Sequence, residues 1–127
     1  MIARDLMTPN PMTVTPQASI GEAWDLMREL EIRHVPVIQD GALVGMLSDR
    51  DLARLDIARM LAMPIVNVMS SDVIAVEPET ELSEVVDLLI EHKVGALPVI
   101  QPDTRELVGI VSYIDVLRAV QDRLEEE

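Results

Sequence analysis

The chain has 127 residues, nearly half of them apolar, and a formal net charge of −13 at pH 7. This length suits one domain or two small halves that share a core, and the apolar runs are too short to cross a bilayer. Cysteine is absent, which excludes disulfides, thiolate metal sites and cysteine nucleophiles. The acidic charge and the presence of only two aromatic residues, Trp24 and Tyr113, disfavour nucleic-acid binding.

The first part of the chain predicts a strand followed by a helix. The strand lies around Met12–Thr15 and ends before a proline, as strands often do. Ser19 then begins a helix, and Glu22 completes a capping box with it. The helix has one apolar face, made by Ile20, Ala23, Trp24, Met27 and Leu30.

Two strands and a closing helix come next. The strands are predicted at Val35–Ile38 and Leu43–Ser48, with a turn at Asp40-Gly41 between them. Their apolar residues are nearly continuous, which indicates burial on both faces. The closing helix is predicted from Asp49 to about Met60. The order is therefore β-α-β-β-α.

The second half of the chain repeats the first. At a shift of 62 residues VPVIQ at 35–39 meets LPVIQ at 97–101, and two extra residues in the second turn then move the shift to 64. One copy has little interior of its own, so we expect two copies to pack sheet to sheet as one pseudo-twofold α/β domain. The predicted repeats are residues 1–61 and 62–127, with 61–70 as the connector, and the second closing helix runs from Tyr113 to about Leu124.

The same seven-residue motif occurs in both copies, as GMLSDRD at 45–51 and GIVSYID at 109–115. Helix capping is one interpretation of it. Ser48 and Ser112 each stand where a strand gives way to a helix, and a serine hydroxyl there accepts a hydrogen bond from a free backbone N–H. Asp51 and Asp115 would lie in the first helical turn, where the helix dipole favours a negative charge.

Ligand binding is the other interpretation, and two features favour it. A capping box prefers Glu or Gln at its third position, whereas both motifs have the shorter Asp. Both also have a glycine inside the strand, where it weakens the sheet unless another group approaches the backbone closely. An aspartate carboxylate can accept hydrogen bonds from both hydroxyls of a ribose, and a serine hydroxyl with helix-start N–H groups suits phosphate oxygens. We therefore interpret the duplicated motif as nucleoside-binding.

The whole chain resembles a tandem pair of cystathionine-β-synthase (CBS) domains, called a Bateman module. The resemblance rests on LMTPNPMTVTP and VMSSDVIAVEP, and on RHVPVIQDGALVGMLSDRDL and VGALPVIQPDTRELVGIVSYIDVL. It implies that an adenosine-type ligand binds between the copies: AMP, ADP or ATP, with or without Mg²⁺, and less often S-adenosylmethionine or an NAD derivative.

The resemblance also implies two sets of site residues, each combining a motif from one copy with segments of the other. Site A comprises Thr15, Pro16, Arg33, His34, Val35, Pro36, Ile110, Ser112 and Asp115. Site B comprises Val76, Glu77, Pro78, Gly95, Ala96, Leu97, Pro98, Met46, Ser48, Arg50 and Asp51. Asp would hold the ribose, Ser would meet phosphate, and the strand-exit segments would enclose the base. The sites differ, because Glu77 stands where site A has Thr15 and could repel a phosphate, so site A is favoured for the tighter ligand.

The expected function is a regulatory module that senses an adenine nucleotide and transmits its occupancy to a partner protein. An assembly protein with empty clefts is the alternative. No catalytic cluster or metal site is apparent in the sequence, so we do not expect an enzyme. We expect a cytoplasmic homodimer in the flat disc that CBS pairs form, with an unknown regulated protein as partner and no contact with membranes.

Several residues also have a simpler structural explanation. Arg33 and His34 could form a polar helix-to-strand junction, and Arg50 could pair with Asp49 or Asp56 at the surface. Trp24 is expected in the core or an interface, and His92 at the C-terminus of a helix. The methionines are expected to serve packing.

Overall fold

The computed structural model describes residues 1–126 and has a mixed α/β fold, which confirms the predicted class. The helices are α1 (Ala3–Leu6), α2 (Ile20–Leu30), α3 (Asp49–Ala53), α4 (Ile57–Met60), α5 (Leu82–His92) and α6 (Tyr113–Glu125), with a 3-10 turn at Ile65–Asn67. The strands are β1 (Thr8–Pro9), β2 (His34–Gln39), β3 (Ala42–Ser48), β4 (Ala96–Ile100) and β5 (Leu107–Ser112).

The chain divides into two compact units. The N unit is Met12–Val73, and the C unit combines Met1–Pro11 with the chain from Ile74 onward. Each unit is built mainly from one of the predicted repeats, residues 1–61 and 62–127. Residues 1–11 pack with the second repeat, and the connector at 61–70 packs with the first.

In the N unit, α2 and the hairpin of β2 and β3 enclose an apolar core. Ser19 caps α2 as predicted, since its hydroxyl accepts a hydrogen bond from Glu22 N–H at 3.1 Å. The antiparallel β2–β3 pair turns at Asp40 and Gly41, whose positive φ angles of 53° and 80° suit a two-residue hairpin. The core residues are Ile20, Ala23, Met27, Val35, Val37, Leu47, Leu52 and Ile65, and Trp24 packs against them as expected.

The predicted strand at Met12–Thr15 is only a single parallel bridge between Val14 and Val37. Val14 donates to the carbonyl of Pro36 at 3.1 Å, and its own carbonyl accepts from Ile38 at 2.9 Å. The next bonds of a parallel ladder would need an N–H from Pro16 on one side and from Pro36 on the other. Neither residue has one, so the ladder ends after one bridge. The C unit repeats this arrangement with Val76 bridged to Val99 and prolines at 78 and 98.

The C unit has the same plan, but its hairpin turn is longer and it has a two-residue strand where the N unit has a single bridge between Met46 and Ser70. Its hairpin of β4 and β5 closes through a longer turn, in which Gln101 donates to Glu106 at 2.9 Å. Strand β1 joins this sheet by pairing with β5, and the sheet order is β1-β5-β4. The core residues are Ala3, Leu6, Val76, Val85, Leu89, Leu97, Val99, Val111 and Ala119.

The closing helices differ between the units. In the C unit α6 is continuous, as predicted, but the predicted helix from Asp49 to Met60 is two short helices, α3 and α4. Asp56 is the N-cap residue directly before α4, and its carboxylate pairs with the Arg59 guanidinium at 3.3 Å. Aspartate favours helix starts over helix interiors because its side chain competes for backbone groups. The single-helix prediction for the first copy was therefore wrong.

Equivalent segments cover the start of α2 in one unit and of α5 in the other. In the N unit the connector bonds to the residues just before α2. The Ile65 N–H donates to the Ala18 carbonyl at 2.8 Å, and the Val66 N–H donates to the Pro16 carbonyl at 3.1 Å. In the C unit Ala3 donates to Thr80 at 2.7 Å and Arg4 to Pro78 at 2.9 Å. This symmetry explains why each repeat packs with a segment that lies outside its predicted boundaries.

Candidate functional site

The site residues of the N unit converge at one end of its hairpin. We call this group the N edge; it comprises residues 15–16, 33–36, 46 and 48–51. Strand pairing sets His34 opposite Ser48 and Pro36 opposite Met46. The Asp49 N–H donates to the Arg33 carbonyl at 2.9 Å, so the start of α3 is tied to the residue before β2.

The C unit has an equivalent group, the C edge, which comprises residues 76–78, 95–98, 110 and 112–115. Here Ala96 lies opposite Ser112 and Pro98 opposite Ile110. The Tyr113 N–H donates to the Gly95 carbonyl at 3.0 Å, which matches the Asp49–Arg33 bond of the N edge. Each edge thus combines the motif predicted for one site with the strand-exit segments predicted for the other.

The glycines of the two motifs are required by the protein's own packing. A Cβ at Gly45 would lie 2.7 Å from Met69 Sδ and 3.0 Å from the Ser70 carbonyl oxygen. At Gly109 it would overlap the Met7 side chain and lie 3.0 Å from the Thr8 oxygen. The prediction that another group approaches these glycines is confirmed, but the group is the chain itself, so the glycines give no support to a ligand.

Both motif aspartates cap their helices. In the N edge the Ser48 N–H donates to Asp51 Oδ2 at 2.9 Å, and the Asp51 N–H donates to Ser48 Oγ at 3.2 Å. In the C edge Asp115 Oδ2 accepts from the Ser112 N–H at 2.8 Å and from its hydroxyl at 3.1 Å. The interpretation that Asp is too short for this role was wrong.

Glu22 does not complete the capping box predicted for Ser19, whereas both motif aspartates do complete one. Ser48 and Ser112 have φ angles of −120° and −102°, whereas Ser19 has −78°. The same bond occurs at the start of α1, where the Ile2 N–H donates to Asp5 Oδ2 at 3.0 Å and Ile2 has a φ of −120°. Asp5 belongs to neither predicted binding motif.

The caps leave one oxygen of each motif carboxylate available. Within residues 1–126, the hydrogen bonds of Asp51 and Asp115 side chains all use Oδ2. A carboxylate oxygen has two acceptor positions, so Oδ1 can still accept bonds from a ligand. Both aspartates are half-buried, and the cap bonds fix their orientation. A cap and a ligand contact are therefore compatible at the same residue.

His34 is the titratable group most affected by its surroundings. Burial lowers its pKa; Arg33 and Arg50 lower it further, while Asp49 and Asp51 raise it. The imidazole is therefore neutral near pH 7 and lies among four charged side chains. Asp49 was not among the site residues predicted from the sequence. Its position directly after the motif serine, Ser48, could have indicated it.

The remaining predicted residues differ in how deeply they are buried. Val35, Pro36, Met46 and Pro16 are buried in the N unit, and Val76, Pro78, Ala96, Leu97 and Pro98 are buried in the C unit. Thr15, Arg33, Arg50 and Glu77 are exposed, and Gly95 and Ile110 are half-buried. Asp56 pairs with Arg59 and not with Arg50. His92 is the last residue of α5, as predicted.

No helix within residues 1–126 is long and apolar enough to cross a membrane. The same residues contain no group of three or more His, Asp or Glu side chains that could hold a metal ion.

The CBS-domain family model matches the chain twice, at residues 3–58 and 65–122. The CBS domain-containing protein YhcV of Bacillus subtilis is 36% identical over 115 residues, which cover 89% of this chain and 81% of that protein. The structure of CBSX2 in complex with AMP has 33% identity and a TM-score of 0.86, covering 95% of this chain and 96% of that one.

The CBS domain pair of protein MJ0100, in complex with 5′-methylthioadenosine and S-adenosyl-L-methionine, has a TM-score of 0.87. It is 25% identical, and the match covers 97% of this chain and 98% of that one. The chain spans only 23% of the length of the enzymes that it matches, such as an inosine-5′-monophosphate dehydrogenase of Methanocaldococcus jannaschii. The similarity to those enzymes is confined to about a quarter of their length.

Proposed function

The chain belongs to the CBS-domain family, and from this premise we propose that it is a regulatory module that senses an adenine nucleotide or a related adenosyl ligand. The observation that carries the proposal is the half-buried motif aspartate of each unit, which its cap bonds hold in place through Oδ2 while Oδ1 can still accept bonds from a ligand. Relatives that cover nearly the whole chain are complexes with AMP and with S-adenosyl-L-methionine.

We propose the same two residue sets that the sequence indicates, with site A built on Ser112 and Asp115 and site B on Ser48 and Asp51. In each set the free Oδ1 of the aspartate accepts bonds from the ribose hydroxyls. Each serine hydroxyl already accepts the N–H of its aspartate and has a second acceptor position. The Ser48 hydroxyl also has a proton for a ligand, whereas the Ser112 hydroxyl donates its proton to Asp115 Oδ2 and must exchange this bond to meet a ligand. The apolar strand-exit residues supply the surface against which a flat base packs.

Calorimetric titration with AMP, ADP, ATP, S-adenosylmethionine and NADH tests the proposal. At least one should bind and should raise the melting temperature, because a ligand of the native state stabilises by mass action. ATP should be titrated with and without Mg²⁺. If none of the ligands binds, the proposed function is wrong.

Asparagine variants separate the capping role from the binding role. Asp51→Asn and Asp115→Asn keep a carbonyl oxygen for the cap but replace the other acceptor with an NH₂ donor, so they should weaken binding at their own site. Asp5→Asn is the matched control, since Asp5 caps α1 through the same bond and belongs to neither site. Equal effects of all three variants would assign the aspartates to capping alone.

Assembly is the second candidate function, and α6 supplies the observation for it. Leu117, Val120 and Leu124 follow one another at helical spacing and are 56%, 44% and 58% exposed. We propose that this row lies in a homodimer interface. If the nucleotide clefts are empty, the dimer serves assembly alone; if a ligand binds, the interface passes its occupancy to a cytoplasmic partner protein. Leu117→Glu should convert a dimer to a monomer in sedimentation, with the exposed Arg118→Glu as control. A monomeric parent chain would rule the dimer out.

A further inference from the structure

Two short segments each contact one residue of site A and one residue of site B. The first is the connector segment, residues 66–70, which lies within the N unit. Its first residue, Val66, donates its N–H to the carbonyl of Pro16, a site A residue, at 3.1 Å. Its last residue, Ser70, exchanges two backbone hydrogen bonds of 2.9 Å with Met46, a site B residue.

The second is the N-terminal segment, residues 4–8, which repeats this arrangement within the C unit. Arg4 donates its N–H to the carbonyl of Pro78, a site B residue, at 2.9 Å. Thr8 pairs with Ile110, a site A residue, in the ladder of β1 and β5. The two segments correspond to each other at the shift of 62 residues, and each site is contacted by both of them.

We propose that these two segments couple the nucleotide sites, so that a ligand bound at either site strengthens binding at the other. The strengthening is by the same factor in both directions, because coupling between binding sites is reciprocal. This inference rests on the proposed function and adds a regulation to it. The chain responds to ligand concentration more steeply than two independent sites would.

The connector segment is held so that its two ends move together. Ile65, directly before the segment, is fully buried. Its carbonyl accepts the Val68 N–H at 2.9 Å and the Met69 N–H at 2.8 Å, which closes the turn between the two site contacts. The Met69 side chain packs against Gly45, the residue before the site B residue Met46. A displacement at one end of the segment is therefore transmitted to the other end.

The N-terminal segment is anchored in the same way. Ala3, directly before the segment, is fully buried, and its carbonyl accepts the Met7 N–H at 2.9 Å. The Met7 side chain packs against Gly109, the residue before the site A residue Ile110. Each segment thus links two site residues through backbone hydrogen bonds and a methionine–glycine contact.

The sign of the coupling follows from the sharing of the segments by the two sites. Pro16 and Pro78 belong to the strand-exit parts of the sites, whereas Met46 and Ile110 lie in the motif strands β3 and β5. A ligand that packs against these residues restricts the segments bonded to them, and this loss of motion costs free energy. A second ligand meets segments that are already ordered and pays less of this cost, so the coupling is positive.

Titrations that compare the parent chain with single-site variants test for coupling. Asp51→Asn weakens site B and Asp115→Asn weakens site A, so the tighter constant of each variant belongs to one site alone. For independent sites, the product of the two AMP dissociation constants of the parent chain equals the product of these two single-site constants. We expect the parent product to be smaller by a coupling factor of about five or more. If AMP does not bind, the adenosyl compound that does bind replaces it.

Glycine variants test whether the two segments carry the coupling, with the coupling factor measured again in each. Asn67 and Asp5 are exposed and occupy equivalent positions in the two segments. Asn67→Gly should lower the coupling factor, and its combination with Asp5→Gly should bring the factor to about one, because glycine loosens the backbone between the two contacts. The matched control combines Ser71→Gly with Asn10→Gly, which loosen exposed residues just after each segment and should leave the factor unchanged.

The outcomes separate the inference from the proposed function. A general loss of packing would change the single-site constants and leave the coupling factor as it is. If the two products are equal, if only one AMP binds per chain, or if the control lowers the factor as much as the segment variants do, the inference is wrong and the proposed function stands. If no adenosyl compound binds, both are wrong. Circular dichroism of each variant shows that the fold is retained.

Discussion

The N and C edges have the same backbone and different side chains. In both, a serine ends a strand, an aspartate three residues later closes a capping box, and a valine bridge is limited to one residue by prolines. The cations and the histidine occur in the N edge alone. The two copies therefore share the parts that hold the helix start in place, whereas the charged residues around it differ.

The units also differ in the length of the helix that begins at the cap. Helix α6 has 13 residues, whereas α3 has five and is succeeded by the separate helix α4. The same cap thus stabilises helices of different length. The two aspartates have the same cap geometry, but more helical residues follow Asp115 than follow Asp51. Variants at equivalent positions of the two units measure this difference.

The largest effect is expected at Ile65, whose equivalent in the C unit is Ala3. Both residues are fully buried. Ile65→Ala therefore leaves a cavity in the N unit, whereas the C unit is already packed around the small Ala3 at this position. We expect a loss of about 2–5 kcal/mol in the free energy of unfolding. Urea unfolding monitored by fluorescence of Trp24, which packs on this core, measures it. The exposed neighbour Val66→Ala is the control, and equal losses at 65 and 66 would contradict the packing.

Glycine substitution should have the next largest effect. Gly45→Ala places a Cβ against Met69 Sδ and the Ser70 carbonyl oxygen, and we expect a cost of about 1–3 kcal/mol from overpacking. Adding Met69→Ala should recover part of this cost, because the thioether is then gone. Gly109→Ala with Met7→Ala is the same pair in the C unit. Two additive single effects in urea titrations would show that the methionines are not the cause.

Loss of a cap should cost less. Asp115→Ala removes the acceptor of the Ser112 N–H and should lower the free energy of unfolding by about 0.5–2 kcal/mol. Because α6 is longer than α3, helical circular dichroism should fall more for Asp115→Ala than for Asp51→Ala. Asp115→Asn retains an acceptor and should behave nearly as the parent chain. An asparagine variant as unstable as the alanine variant would contradict the cap.

The smallest effect concerns pH and only the N unit. The pKa of His34 is lowered in the folded chain, chiefly by burial, so the unfolded chain binds more protons as the pH falls through the ordinary histidine range. Stability is therefore fully present above the unfolded pKa and declines below it. Urea titrations between pH 8 and 5.5 should show this decline, and His34→Ala, which gives the residue of the C unit, should flatten it. An unchanged slope would exclude His34 as its source.

Much of the fold could be predicted from the sequence. Local patterns found α2, the β2–β3 hairpin with its Asp40-Gly41 turn, and α6. The strand at Met12–Thr15 was overpredicted because the missing donor belongs partly to Pro36, a residue of another strand. The break near Asp56 was missed because the apolar spacing continues across it.

The sequence by itself determined the duplicated architecture and the residue types at each edge, since periodicity, caps and turns are local properties of the chain. Only the tertiary structure decided what the motif residues do. In it, the motif glycines pack against Met7 and Met69, and one carboxylate oxygen of each motif aspartate accepts a bond from the start of its own helix. It also gathered Arg33, His34 and Arg50. These outcomes depend on strand pairing and backbone angles between distant residues, which spacing along the chain does not specify.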